Sequence, residues 1–463
     1  MKKKLNYNTV WGKRMKHKTN NILQEVNASI DIDKALYNED IDASIIHCKM
    51  LSKQKIISPK ISKKIVSGLN KIRNEIKRKK FKFDKKYEDI HLNIEKRLFQ
   101  VIGSDAGYLH IARSRNDQVT TDFKLWIIKS SKILKENIRY LILELIKLSK
   151  KNINIIMPGF THLKNAQPVL FAHYMLAYVE MFKRDIVKLN NLIKNTSENP
   201  LGSGALAGTS LKIDRNFTTK KLNFHKPTSN SMDAVSDRDY ALEFMFVCSI
   251  NAMHLSRFAE EIIIWNSDIA KMISIKDDML TGSSMMPQKK NPDSAEIVRG
   301  KTAIIISNLN SLFIIMKALP LSYFKDMQDD KKLVFECNDN LIKNLKLTKD
   351  LVKAIKPNKK KMYEYALNGF TTATDFAEYL VNKGMSFRDA HKKSAQLVNI
   401  AEKMNITLNE LKFDDIKKVC NQIDKDVMKI FDVSNSVNSK KSFGGTSKVN
   451  VIKMLNKSER EMR

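Results

Sequence analysis

Apolar side chains recur with a helical period through the middle of this chain. From Thr121 to Lys150 they fall at Phe123, Ile127, Leu134, Ile138, Leu141, Leu145 and Leu148, a spacing that predicts a helix of about eight turns. Trp126, Ile133, Tyr140 and Ile142 widen the stripe, so this helix is expected to be buried on several sides. A second helix is predicted from about Asp237 to Met272, with Ser236 as N-cap and Asp239 three residues on in a weak capping box. A third runs from roughly Ala295 to Ala318 and stops at Pro320. Strand signals are sparse. These lengths predict an all-α fold built on an elongated central helical bundle. Its apolar stripes exceed what one chain can cover, which favours an oligomer.

Before and after this stretch the pattern is shorter. Residues 1–114 mix short helical patterns with polar connections, including a lysine-rich stretch at Asn74–Lys86. After Tyr365 the helices shorten and turn signals return at Gly369, Gly384 and Gly444-Gly445. The expected division is an N-terminal helical domain at 1–114, the long-helix bundle at 115–364 and a small C-terminal helical domain at 365–463. A chain of 463 residues is long enough for such a division.

Composition narrows the class. Hydrophobic residues make up 43%, with only 14 Gly and 9 Pro, as in a packed helical protein. Cys48, Cys248, Cys337 and Cys420 are scattered without metal-ligand spacing, which suits a reducing cytoplasm and argues against a disulfide framework or zinc site. No apolar stretch follows the basic start MKKKLNYNTVWGK and no run of about 18 apolar residues occurs, so neither a secretory signal nor a membrane span is expected. Lys+Arg 82 against Asp+Glu 50 gives +32. The basic runs at Lys2 to Lys4, Lys77-Arg78-Lys79-Lys80 and Lys359 to Lys361 are dispersed and lack interleaved aromatics. With Lys, Asn and Ile abundant throughout, the charge is read as a codon bias; no specific nucleic-acid partner is expected.

The most informative stretch is 282–296, GSSMMPQKKNPDSAE. It packs two hydroxyls, a turn-forming Gly and Pro, two ammonium groups, amides and carboxylates into fifteen positions. A loop that binds a carboxylate and moves a proton has use for that mixture; an apolar core segment has none. Four further clusters concentrate polar residues. Arg113-Ser114-Arg115-Asn116-Asp117-Gln118 runs into the first long helix and suits a carboxylate or guanidino clamp, or a capping network. In Gly159-Phe160-Thr161-His162-Leu163 a histidine beside a hydroxyl, just before a helix, is a candidate acid or base. Asn199 to Thr209, PLGSGALAGT in its core, carries glycines that fit close approach to a ligand or a tight structural crossing. Tyr323 to Lys331 alternates charges as a solvated surface does, though Tyr323, Gln328 and Lys331 also suit a polar pocket.

Together these segments identify a family. The 282–296 loop resembles the signature of the fumarase/aspartase superfamily. RSRNDQ with TTDFKLW, GFTHLKNAQP, PLGSGALAGT, SDRDYALE, HLSRFAEE and LPLSYFKDMQDDK resemble argininosuccinate lyase and its relatives, the delta-crystallins. The resemblance runs from Trp11-Gly12 and Asn27-Ala28-Ser29 through Glu88-Asp89-Ile90-His91 to Gly444-Gly445. It implies reversible cleavage of argininosuccinate into arginine and fumarate. It also implies an all-helical homotetramer whose active sites each draw on three chains, and no metal or organic cofactor. Ser283 and His162 would be the proton-transferring pair, with Ser283 favoured as base and the opposite assignment left open. Glu296 would orient or polarise His162, and Lys289 and Asn291 would stabilise the developing negative charge. Ser29, Asn116, Thr161, Tyr323, Gln328 and Lys331 match family substrate-binding positions.

This chain departs from the family pattern at four places. Ile111-Ala112 replaces Thr-Gly, Phe324 replaces Asn, and Ala43 and Lys13 each replace Gly. The same-class alternative is adenylosuccinate lyase, and a second is a catalytically silent structural relative. Intact Ser283, His162, Lys289 and Glu296 argue against the silent relative.

Overall fold

The computed structural model describes residues 20–462; the positions at Lys2 to Lys4, Trp11-Gly12 and Lys13 lie outside them. Within these residues the protein is all-α, its strands confined to two-stranded ladders. β1 (Ile156–Thr161) and β2 (Lys164–Leu170) form an antiparallel hairpin, and β3 (Glu198–Asn199) pairs in parallel with β4 (Lys226–Pro227). β5 (Ile273–Ile275) pairs antiparallel with β8 (Ile355–Pro357), while β6 (Thr281–Gly282) and β7 (Lys290–Asn291) close a second hairpin.

The long helices are Arg115–Lys151, Phe171–Thr196, Asp239–Asn266, Asp293–Met316 and Asp330–Ala354. The first begins six residues before the predicted start, so Asn116 and Asp117 sit in its first turn. Phe123, Ile127, Leu134, Ile138, Leu141, Ile142 and Leu145 are all buried, and Trp126 packs against Phe335 with ring centroids 4.4 Å apart. Ile133 and Tyr140 are exposed, so the wider stripe is only partly covered. The second predicted helix starts at Asp239, because Ser236 closes a short helix, Ser231–Ser236, and Asp237 Oδ1 accepts the first N–H of the long one at 2.8 Å. It ends at Asn266, short of Met272. The third ends at Met316, before Pro320, with Ala318 in the left-handed region at φ 59°.

The chain forms two compact units. Of the described residues, the first comprises 20–135, 187–249 and 304–340, and the second 136–186, 250–303 and 341–462. In the first, helices Tyr37–Lys53, Pro59–Lys77 and Ile90–Ile102 close over Leu36, Ile41, Leu51, Ile65, Leu69 and Leu98. Ser58 and Asp89 cap two of them, accepting from Ile61 and Leu92 N–H. In the second, helices Ala373–Asn382 and Phe387–Met404 pack around Phe376, Leu380, Leu397, Ile416 and Phe431. The β1–β2 hairpin is tied to this part of the chain: Leu170 N–H donates to Thr446 Oγ1 at 2.9 Å and Asn165 Nδ2 to the Tyr365 carbonyl at 3.2 Å. Gly369 is required there, since a Cβ would lie 2.5 Å from Asn165. No helix among the described residues is long and apolar enough to cross a membrane.

Candidate active site

In the first unit the candidate binding residues rest on buried charge. Ser29 donates its hydroxyl to Asp33 Oδ2 at 2.5 Å, and the other Asp33 oxygen accepts Ile90 N–H at 3.0 Å. The backbone N–H groups of Ser29 and Ile30 both donate to the Glu88 carbonyl at 2.9 Å. Burial pushes the Asp33 carboxyl up, against the pull of His91, Ser29 and Lys331. Lys331 is buried, with Nζ 2.6 Å from Asp330 Oδ1, and Asp330 Oδ2 accepts Arg238 Nε at 2.5 Å. Burial opposes ionisation of Asp330, yet the Lys331 ammonium and the Arg238 guanidinium outweigh it and hold its carboxyl low. Tyr323 is half-buried beside this pair. Burial first, then the Asp330 carboxylate, pushes its phenol up to about 12, so it stays a neutral donor. Gln328 is half-buried in the turn Lys325–Asp329, and Lys325 bonds Glu88 at 2.8 Å.

The start of the Arg115–Lys151 helix joins the same face. Asn116 Nδ2 donates to the Ala205 carbonyl at 3.0 Å, and Arg115 lies 3.5 Å from Asp89. Asp117 Oδ2 accepts the N–H groups of Gly202 and Gly204, both at 2.9 Å, and its Oδ1 accepts Ser114 N–H. The glycine segment is thus a structural crossing docked onto the helix. Burial of Asp117 raises its carboxyl to about 6, with those three N–H groups resisting the shift.

Beneath this face, Asp40 Oδ1 accepts from His91 Nδ1 at 2.8 Å and from Gln118 Nε2. Asp122 lies alongside, 3.5 Å from His91 Nδ1, with no donor for either oxygen. Burial and then the Asp40 carboxylate push Asp122 well up. A protonated Asp122 that donates to Asp40 satisfies both groups. Asp40, His91 and Asp122 also stand close enough for a metal ion, each offering one ligand atom within 4.8 Å of the others. The donor set fits an ion poorly: Asp40 already serves two donors, and the buried Arg113 guanidinium adds positive charge beside it.

The second unit carries the other candidates on exposed hairpins. His162 and Leu163 form the β1–β2 turn with φ 54° and 57°, and Thr161 pairs across it with Lys164. His162 therefore sits at a hairpin tip, and β2 separates it from the next helix, which begins at Phe171. Both Thr161 and His162 are exposed. The 282–296 stretch is a second hairpin, with Thr281 opposite Asn291 and Gly282 opposite Lys290. Ser283 Oγ accepts N–H from Met285 at 3.3 Å and from Met286 at 3.0 Å. Thr281 Oγ1 to Asp293 at 2.5 Å, Ser294 Oγ to the Met279 carbonyl at 2.8 Å and Lys290 to Asp277 at 2.8 Å fix the base of the hairpin. Lys289, Asn291 and Glu296 come together around a cavity of about 1040 Å³, with Asp277 and Asp293 also in its wall. Four carboxylates, Asp268, Asp277, Asp293 and Glu296, line it against Lys289 and Lys290, and Asp277 already pairs Lys290, so Lys289 is the ammonium left to meet an anion there.

Comparison with known proteins now bears on this geometry. Residues 13–307 match the family model described as Lyase, and residues 370–438 match the one described as Argininosuccinate lyase C-terminal. The chain is 54% identical to an argininosuccinate lyase of Pelagibacter ubique over 99% of both chains. It is 48% identical to an argininosuccinate lyase of Ehrlichia canis, over 97% of this chain and 96% of that one. The chain belongs to the argininosuccinate lyase family. Among solved structures, an EDDS lyase in complex with formate superposes with a TM-score of 0.83 at 25% identity, covering 93% of this chain and 87% of that one.

Membership in the argininosuccinate lyase family gives the departures a physical meaning. Ala112, where the family pattern has Gly, lies at φ 55°, a region in which a Cβ is strained. The carbonyl of Ile111 before it is held by His47 Nε2 at 2.8 Å. Ala43 is buried against Leu201, Leu222 and Phe224. Phe324 is partly exposed, and nothing in the structure explains its replacement of Asn. Sequence reasoning missed Asp33, Asp40, Asp122, Arg238 and Asp330. Asp33 lies in DIDK, Asp40 in EDID, Asp122 in TTDF, Arg238 in SDRDY and Asp330 in DMQDDK, short charged stretches that read as surface charge.

Proposed function

We propose that the protein splits argininosuccinate reversibly into arginine and fumarate, the last step of arginine synthesis, as a homotetramer in the cytoplasm. The observation that carries this reading is Ser283, whose oxygen accepts two backbone N–H groups inside the signature hairpin. Donors aimed at a hydroxyl oxygen stabilise its deprotonated form, which is what a serine base requires. Ser283 takes the proton from the succinyl carbon beside the carboxylate. The carbanion spreads into that carboxylate, which Lys289 and Asn291 hold. His162 returns a proton to the departing guanidino nitrogen, and Glu296 orients its ring. Thr161, Ser29, Asn116, Tyr323, Gln328 and Lys331 bind the rest of the substrate.

Assembly rests on uncovered apolar surface. Ile297, Ile306, Phe313 and Ile314 on the Asp293–Met316 helix are exposed, as are Phe246 and Met253 on Asp239–Asn266, so these helices have faces to give to other copies. Three chains then contribute to each site. The division at 1–114, 115–364 and 365–463 accounts for the long helices as the shared bundle. The four cysteines are buried and free, in keeping with a reducing cytoplasm.

The test is one assay. Purified protein with argininosuccinate should release fumarate, read by its absorbance, and should do so faster than with adenylosuccinate. No turnover by an assembled tetramer, or preference for adenylosuccinate, rejects the assignment; light scattering that finds an active monomer rejects the shared site.

A further inference from the structure

A second cavity in the same unit has a different character. It measures about 450 Å³, and five of its eleven lining residues are Lys147, Lys151, Lys276, Lys353 and Lys356, against a single acid, Glu144. Lysine and arginine together are 82 of 463 residues, fewer than one in five, so general basicity does not account for this concentration. Two helices end here, Arg115–Lys151 and Asp330–Ala354, and lysines in last turns offset the negative helix ends. That explains Lys151 and Lys353, and Lys353 is further engaged by Asp350 at 3.1 Å. It leaves Lys147, Lys276 and Lys356. Among the described residues none of these three, nor Lys151, has a carboxylate within ion-pair distance.

We infer that this cavity binds a linear phosphate chain, such as the triphosphate of a nucleotide or inorganic tripolyphosphate. The lining holds ammonium groups and no guanidinium. It therefore offers five separate point charges, which suit several charges spread along an anion better than one bidentate contact to a single carboxylate or phosphate. No aromatic ring is present to stack a base, so recognition falls on the chain and not on a nucleoside.

The position of the cavity gives binding a consequence. Lys356 and Ile355 line it from β8, while Ser274 and Ile275 of the paired β5 line the cavity of the signature hairpin. Lys276 follows β5 directly, and the next residue, Asp277, holds Lys290 at 2.8 Å on β7. An anion that fixes Lys276 and Lys356 therefore steadies the base of the hairpin carrying Ser283. The regulatory meaning of that effect rests on the function proposed above; the binding does not.

The experiment titrates tripolyphosphate into the full-length protein by calorimetry, alongside Lys276→Glu/Lys356→Glu and a control, Lys60→Glu/Lys63→Glu. All four lysines are exposed, and thermal melts verify that the variants fold. Saturable binding is expected, weakened about tenfold or more in the cavity variant and little changed in the control. Equal weakening in both variants, or no saturable binding, overturns the site as diffuse attraction to a basic protein. ATP is expected to bind about as tightly as tripolyphosphate; a preference for ATP beyond about tenfold overturns the assignment to the chain. Hydrogen exchange across 281–291 should slow with tripolyphosphate in the parent and not in the cavity variant. Unchanged exchange at saturation overturns the coupling. Neither readout needs fumarate release, so failure here is separate from failure of the proposed reaction.

Discussion

The two units present their candidate residues in opposite ways. In the first, Lys331, Asp330 and Arg238 are buried together, and Ser29 is bonded to a carboxylate that also accepts the first N–H of the distant Ile90–Ile102 helix. In the second, His162 and the 283–289 tip stand on exposed hairpins fixed mainly at their bases. The first arrangement is costly to disturb, as buried ion pairs are, and the proposed reaction uses it to hold substrate. The second leaves the groups that the proposed reaction assigns to proton transfer at exposed hairpin tips with few bonds to the rest of the unit. Buried, ion-paired candidates and exposed hairpin candidates are thus separated along the chain.

That contrast can be broken most sharply at Ser283. Ser283→Ala should lower fumarate release by about a thousandfold or more while argininosuccinate binding and the melting temperature stay near parent values. Lys289→Met should weaken both binding and turnover, and Ser284→Ala should do less than either. If Ser284→Ala lost turnover and Ser283→Ala kept it, the assignment would be off by one residue. Asp330→Asn is the counterpart in the rigid half. It leaves Arg238 and Lys331 buried without their shared carboxylate, and denaturant unfolding should show a loss of about 3–5 kcal/mol. A stable Asp330→Asn protein with normal KM would remove the distinction between the two halves.

Acid sharpens the comparison further. His47 is buried, and burial first, then the Arg113 guanidinium, push its imidazole down to about 3. The unfolded chain therefore takes up the proton first. Stability contributed by neutral His47 is present above the unfolded value near 6.5 and is lost as pH falls from there toward 3, by about 1.4 kcal/mol per unit. Urea midpoints between pH 7 and 4 should fall less steeply for His47→Gln than for the parent. The smallest effect belongs to Ala112→Gly, which relieves the left-handed strain and should stabilise the protein by about 1 kcal/mol. A destabilised Ala112→Gly would show that the Cβ there is packed to advantage.

Three of the five long helices were legible because their apolar period is long and broken only once, by Gly300 in the third; Phe171–Thr196 and Asp330–Ala354 were not read from the pattern. Their starts were less so. The first helix begins at Arg115 because Ser114 Oγ accepts Asn116 N–H while Asp117 Oδ1 accepts Ser114 N–H, a local cap that the apolar period does not register. The β1–β2 hairpin escaped notice because Gly159 and Pro168 interrupt its alternation, and a shift in register between Pro158 and Phe160 breaks it again. Motif likeness marked Ser283, Lys289 and Glu296, but the acids beneath the binding face were hidden. Asp330 lies in a run of alternating charges that reads as solvent-facing, and only the fold turns it inward toward Arg238.

The serine's two N–H donors come from its own hairpin, two and three residues further on. Its environment therefore travels with it. In the proposed reaction a hairpin that closed over substrate would carry those bonds with it, and the hydroxyl would arrive ready, with nothing to reassemble after each turnover. Readiness would then be built into a tight turn of backbone, and only arrival left to the loop.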